Sequence, residues 1–238
     1  MRVKILFSYD GSKFSGFQRQ KTLRSVQETI EKALSQIANK EIEIKGSGRT
    51  DAKVHANGQV AHFDWDGDII NLKRDLNFLV MPDICIKKIQ KVSNDFHARF
   101  SAKKKEYIYK INLKAYQSSL NDYYYQPGYK IDLGLMKEAA RYMLGIHDYR
   151  NFISGEHESY ISEIYSITFM QFSGKLEIRF IGSGFYRYMV RNLVGALLEV
   201  GKCKIKISVI KKMLDEPNIS KRLPTAPPEG LYLNKVWY

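Results

Sequence analysis

One carboxylate, Asp51, follows a glycine-bearing turn and stands beside Arg49 and Thr50, in Gly46-Ser-Gly-Arg-Thr-Asp51-Ala-Lys-Val-His-Ala-Asn-Gly-Gln-Val-Ala-His-Phe63. Glycines allow a sharp turn that residues with a Cβ would resist. A lone aspartate held there next to a guanidinium and aimed outward suits a nucleophile. The same letters also fit a loop whose Asp caps a helix. The rest of the chain has to decide between the two.

The elements that must hold this turn are legible from periodicity. Val3, Ile5, Phe7 and Tyr9 alternate as a half-buried strand over residues 2–9, followed by a turn at Asp10-Gly11-Ser12. Ser25-Val-Gln-Glu28 is a capping box, and apolar residues at 26, 30, 33, 34 and 37 continue it as an amphipathic helix. Glu41 to Lys45 alternates again and delivers the chain into the Gly46 turn. Gln59 to Trp65 and Ile84 to Val92 read as strands, with a short helix over Asn71 to Val80. In the second half, Lys105 to Leu113 reads as a strand and Leu133 to Leu144 as a helix stopped by Gly145. Residues 162–172 and 175–182 form a hairpin across Ser173-Gly174. A long helix is predicted from about Phe185 to Val200, with Arg187 and Arg191 one turn apart. The segment 221–228 is a rigid, extended approach to a last strand over Leu231 to Tyr238. The class is α+β, in two halves, 1–100 and 101–238, with no flexible linker between them.

Composition bounds the partners. The chain has 238 residues, 44% apolar and 26% charged, which describes an ordinary globular protein. No apolar run approaches the ~20 residues of a membrane span, and the first residues are too short for a signal-peptide core. Two cysteines, Cys85 and Cys203, far apart, exclude a disulfide framework and suit a reducing cytoplasm. The net charge of +13 implies a polyanionic partner, because neutralising phosphates releases condensed counterions. The 16 Tyr and 12 Phe add ring faces that suit unstacked bases.

Six separated motifs, in order, resemble one family, the TruA-type tRNA pseudouridine synthases. They are Tyr9-Asp-Gly with Ser15-Gly-Phe-Gln18-Arg-Gln20, the Gly46 to Ala56 stretch with Gly58-Gln59-Val60, and Phe96-His-Ala-Arg99 with Tyr107-Ile-Tyr109. Gly145-Ile-His-Asp148-Tyr149 with Phe152, Gly182 to Asn192 with Gly195, and Ala226-Pro-Pro-Glu-Gly230-Leu-Tyr-Leu233 complete the set. The sequence departs from the family at Ser47, usually Ala, at Lys53, usually Gly, and at Phe17, often Trp. Arg187 and Tyr188 also differ from the commonest residues before Met189.

The resemblance implies two ferredoxin-like α+β halves forming a continuous, mostly antiparallel sheet, with helices on the outer faces and a central basic active-site cleft. It implies isomerisation of uridine to pseudouridine in the anticodon stem-loop of tRNA, at positions 38, 39 and 40, by a cytoplasmic homodimer without cofactor or metal. Asp51 matches the catalytic aspartate, Arg191 the arginine that partners it, and Tyr107 the tyrosine that lies against the target base. That base must be extruded from its stack to react. Arg49 is a candidate for holding the flipped nucleotide, and Lys53, Arg99, Lys103, Lys105 and Arg187 for phosphate contacts. His55 and His62 alternate as strand residues do, which favours structural hydrogen bonding over catalysis.

Three other readings compete. A phosphate cradle at Gly46 lacks the Lys-Ser/Thr ending of a P-loop and any strand–glycine–helix unit. A non-catalytic RNA-binding relative fits charge and aromatics equally well, but it leaves the Asp51, Tyr107 and Arg191 set unexplained. The same chemistry on another RNA, such as rRNA, stays open because of Lys53 and the short chain.

Overall fold

The computed structural model describes residues 1–216 and 223–238, which form two compact units, Met1–Lys103 with Tyr232–Tyr238 and Lys104–Leu231. In the first unit, β1 (Arg2–Tyr9) leads into α1 (Val26–Ala38), the two-residue β2 (Lys45–Gly46), β3 (His55–Asp64), α2 (Leu72–Val80) and β4 (Ile84–Lys91). β1 pairs antiparallel with both β3 and β4. Its alternation puts Val3, Ile5, Phe7 and Tyr9 into the core, as periodicity predicts. Ser25 caps α1, its hydroxyl accepting from the Glu28 amide at 3.3 Å, and Val26, Ile30, Ala33 and Leu34 are the buried stripe.

The second unit contains β5 (Lys104–Asn112), α3 (Leu133–Tyr142), β6 (Gly145–Asp148), β7 (Ile161–Phe172), β8 (Lys175–Gly182), α4 (Met189–Gly201) and α5 (Ile207–Asp215). Its strands pair antiparallel in the order β5-β8-β7-β6. The β7–β8 hairpin turns on Ser173 (φ 48°) and Gly174 (φ 76°), the pair of positive angles that a two-residue turn needs to match strand twist. α3 lies on α4 and α5 around Met136, Ala139, Leu193 and Leu197. The last strand, β9 (Leu231–Trp237), pairs parallel with β3 and so returns the chain to the first unit, whereas chain order alone assigned it to the second half. The protein is α+β and its strand pairing is mostly antiparallel, as the sequence implies.

Four expectations change. The long helix begins at Met189, not Phe185, because Tyr188 takes a left-handed conformation (φ 62°) and interrupts it. Arg187 therefore stands ahead of the helix and not one turn from Arg191 on its surface. α3 ends at Tyr142, and Gly145 (φ 94°) opens β6 instead of stopping a helix. Residues 41–44 keep the exposed–buried alternation, yet only Lys45–Gly46 pairs with β3. β6 and α5 are not among the elements read from periodicity; both are short, four and nine residues. Residues 221–222 of the extended approach lie outside the described residues, whereas Pro227 in its remainder has polyproline-like angles of −55° and 147°. Among the described residues no helix is long and apolar enough to cross a membrane.

Candidate active site

The loop carrying Asp51 is fixed on both sides before its side chain does anything. Upstream, the buried Ser47 amide donates to the Val60 carbonyl at 2.7 Å, and the Ser47 hydroxyl donates to Gln59 Oε1 at 2.6 Å. Gln59 Nε2 in turn donates to the Gly48 carbonyl at 3.0 Å. Ser47 thus adds a buried hydrogen bond that an alanine would have no group to make. At Gly46 the requirement is room, not a special angle. A Cβ there would lie 2.5 Å from the Phe17 ring, so the glycine and Phe17 fit each other.

Around the carboxylate, Thr50 Oγ1 and the buried Tyr9 hydroxyl share a hydrogen bond of 2.7 Å. Burial pushes the Tyr9 phenol up to about 12, against the opposing pull of its bonds to Thr50 and Gln59, so it remains a neutral anchor. The Phe17 amide donates to the Thr50 carbonyl at 3.1 Å and the Lys53 amide to the Phe14 carbonyl at 3.3 Å. The Val54 amide closes a turn onto the Asp51 carbonyl at 3.2 Å, with Lys53 in the left-handed region at φ 65°. That turn position favours glycine. This chain carries a lysine there at the cost of backbone strain, typically about 1 kcal/mol. Asp51 is half-buried, and Arg49 and Lys53 beside it are exposed.

The histidines near the motif are structural. His55 Nδ1 accepts from the Gly11 amide at 3.0 Å, and its ring stacks on Tyr232 with centroids 4.5 Å apart. His62 Nδ1 accepts from the Ala98 amide at 3.1 Å and ties β3 to the Phe96-His-Ala-Arg99 segment. Burial, aided by the charges of His97 and Arg2, lowers the His62 imidazole to about 4. An unfolded chain takes up a proton near pH 6.5 that the folded one refuses until about pH 4. The contribution is complete above pH 6.5 and shrinks as pH falls toward 4. The urea midpoint should therefore drop across that window in the native chain, and more shallowly in His62→Gln. Equal slopes for the two proteins would show that His62 carries none of the effect.

Arg99 is exposed, with its guanidinium carbon 5.5 Å from the Phe100 ring centroid, and Lys103 is exposed at the end of the same segment. In the second unit, Tyr107 on β5 is buried and meets Phe185 edge to face, centroids 5.3 Å apart. Lys105 is half-buried, two residues earlier on the same strand. Arg187 and Arg191 each place a guanidinium carbon 5.0 Å from the centroid of the Tyr188 ring. The left-handed Tyr188 joins them in this way although the two residues do not share a helix face. Arg191 Nε donates to the Ala226 carbonyl at 2.8 Å, and the Ala226 amide returns a bond to the Arg191 carbonyl at 3.0 Å. This clamp from the 223–227 segment was not read from the sequence; its only signal is the Pro-rich run itself. Among the described residues no three His, Cys, Asp or Glu side chains are grouped as metal ligands.

A sequence profile for tRNA pseudouridine synthase matches residues 5–101 and 139–238. The tRNA pseudouridine synthase A of Anoxybacillus flavithermus is 40% identical over 242 residues, covering 100% of this chain and 98% of that protein. That of Bacillus pumilus is 41% identical, covering 100% and 99%, and that of Thermosipho melanesiensis is 40% identical with the same coverage. The α+β chain, with its anchored aspartate turn, belongs to the tRNA pseudouridine synthase family. It is an enzyme, an isomerase of uridine in tRNA.

Proposed function

We propose that this enzyme converts uridine to pseudouridine at positions 38, 39 and 40 of the tRNA anticodon arm, with Asp51 as nucleophile. The reaction is internally balanced. The N1–C1′ bond breaks, the uracil turns, C5 bonds to C1′, and the proton lost from C5 is matched by one gained at N1. Nothing is oxidised and no group is imported, so neither cofactor nor metal enters the scheme. Asp51 engages the sugar once the base is out of its stack. Tyr107 lies against that base, and Arg191 provides the cation that balances the carboxylate. Arg49 holds the flipped nucleotide, and Lys53, Arg99, Lys103, Lys105 and Arg187 contact phosphates. The enzyme works as a homodimer in the cytoplasm.

The observation that carries this reading is the Asp51 turn. Thr50, Phe14, Phe17 and Gln59 fix its backbone, while Asp51 is half-buried and the neighbouring Arg49 and Lys53 are exposed. The test uses a tRNA transcript with uridine at 38, 39 and 40 and a partner transcript with cytidine at those positions. Pseudouridine mapped in the first and absent from the second is the expected result. Modification of both transcripts elsewhere would overturn the site assignment, and modification of rRNA alone would replace the substrate.

A further inference from the structure

Between the two stretches matched by the family profile lies residues 102–138, and within it a tyrosine-rich loop follows β5. Tyr116, Tyr123, Tyr124, Tyr125 and Tyr129 fall within 14 residues. The loop is built, not loose. The buried Asn112 donates to the Ala115 carbonyl at 3.1 Å and to Gln126 Oε1 at 2.9 Å. Gln126 clamps the Gln117 backbone with two bonds of 2.9 Å, and the Tyr125 amide donates to the Lys110 carbonyl at 3.0 Å.

Lysines gather on this loop. The ammonium groups of Lys175 and Lys110 lie 4.8 and 5.7 Å from the Tyr124 ring centroid. Lys114 lies along the hairpin tip, where a Cβ on Gly174 would come within 2.3 Å of its side chain. Lys202 sits 4.5 Å from the Tyr129 ring. Of the neighbouring acids, Glu177 pairs with Arg179 at 2.9 Å and also stands opposite Lys110 across the β5–β8 ladder, and Glu199 pairs with Lys202 at 2.9 Å. Partial burial lowers the Lys110 ammonium, and the charges of Lys175 and Arg179 lower it further against Glu177. Clustering cations in this way is unfavourable for the isolated protein and favourable beside an anion. Tyr116, 64% exposed at the edge, offers a free ring face.

We propose that this tyrosine–lysine platform is a second contact surface for the tRNA substrate. Lys114 and Lys175 meet backbone phosphates, and Tyr116 stacks on an unpaired base. The rings hold the lysine heads in place by cation–π attraction, and so reduce the entropy lost on binding. The inference rests on the proposed function for the identity of the RNA. An RNA is favoured over an acidic protein because ammonium groups lie against tyrosine rings here, the pairing that suits phosphates beside unstacked bases.

The test compares tRNA binding and tritium release for the native enzyme, Lys114→Gln/Lys175→Gln and Tyr116→Ala, with thermal melts to verify folding. The double variant should bind tRNA about tenfold more weakly near 0.1 M salt, and its salt slope should fall by roughly 1.4 to 1.8 for two lost phosphates. Tyr116→Ala should weaken binding about fivefold or more and leave the slope unchanged. KM should rise in both while kcat holds. Native affinity and slope in both variants would overturn the platform and leave that face to some other partner. A fall in kcat at unchanged affinity would overturn it as well. Absence of tritium release from the native enzyme, with the binding losses intact, would sink the proposed function and not the platform.

Discussion

Asp51→Ala should abolish tritium release from tRNA carrying [5-³H]uridine, by on the order of a thousandfold or more, while tRNA affinity stays within about threefold. C5 gives up its hydrogen only when it becomes the new glycosidic carbon, so release reports the isomerisation directly. The two effects separate because the loop is held through backbone groups and the Thr50 hydroxyl. The Val54 amide bonds to the Asp51 backbone carbonyl, Thr50 is held through its own hydroxyl and carbonyl, and Lys53 through its amide. Alanine accepts the same backbone and leaves those bonds intact. Affinity spread over many phosphate contacts is insensitive to one carboxylate, whereas a nucleophile has no substitute. Asp51→Asn, which keeps the shape and loses the charge, should be as inactive as the alanine variant. Equal loss of binding and turnover, or turnover that survives, would sink the nucleophile assignment.

How far the sequence revealed this arrangement depends on the kind of interaction. β1, α1 and the β7–β8 hairpin were readable because each repeats a local rule: alternation, a capping box, or a two-residue turn. The start of α4 was not, because apolar spacing runs unbroken through Phe185–Met189 while one left-handed residue, Tyr188, breaks the helix. Periodicity describes side chains and is blind to a single backbone angle. The return of β9 to β3 is likewise a pairing between residues about 180 apart in the chain, and no local pattern encodes it. Of the candidate site, the motif around Asp51 and the structural role of His55 and His62 were legible. The packing of Gly46 against Phe17, the Tyr9–Thr50 anchor and the Ala226 clamp on Arg191 were not. Each joins residues separated by 29 or more positions, and each depends on close approach, which only three dimensions supply.

The Ala226 clamp gives the second large effect, in Gly195→Ala. Helix propensity alone argues for a gain, since alanine in a helix interior is better than glycine by about 0.8–1 kcal/mol. Packing argues the other way and is stronger. A Cβ on Gly195 would stand 1.8 Å from the Pro224 carbonyl oxygen and 3.2 Å from the Ala226 amide nitrogen. These are backbone atoms, so no rotamer change relieves the overlap. The segment must move off α4, and it is tied there by Ala226 to Arg191 and by Thr225 Oγ1 to Asn192 Oδ1 at 2.7 Å. Overpacking of this kind costs about 3 kcal/mol, which exceeds the propensity gain and corresponds to a melting temperature lower by very roughly 5–10 °C. Because the displaced segment carries the Ala226 carbonyl that accepts from Arg191 Nε, the folded fraction should also lose turnover well below the melting temperature. Gly184→Ala is the internal comparison. It lies in the same motif with no atom within 4 Å of its Cβ position, and its melting temperature and turnover should match the native enzyme. If Gly195→Ala melts with the native enzyme and turns over normally, the close approach of the 223–227 segment to α4 is not what holds Arg191.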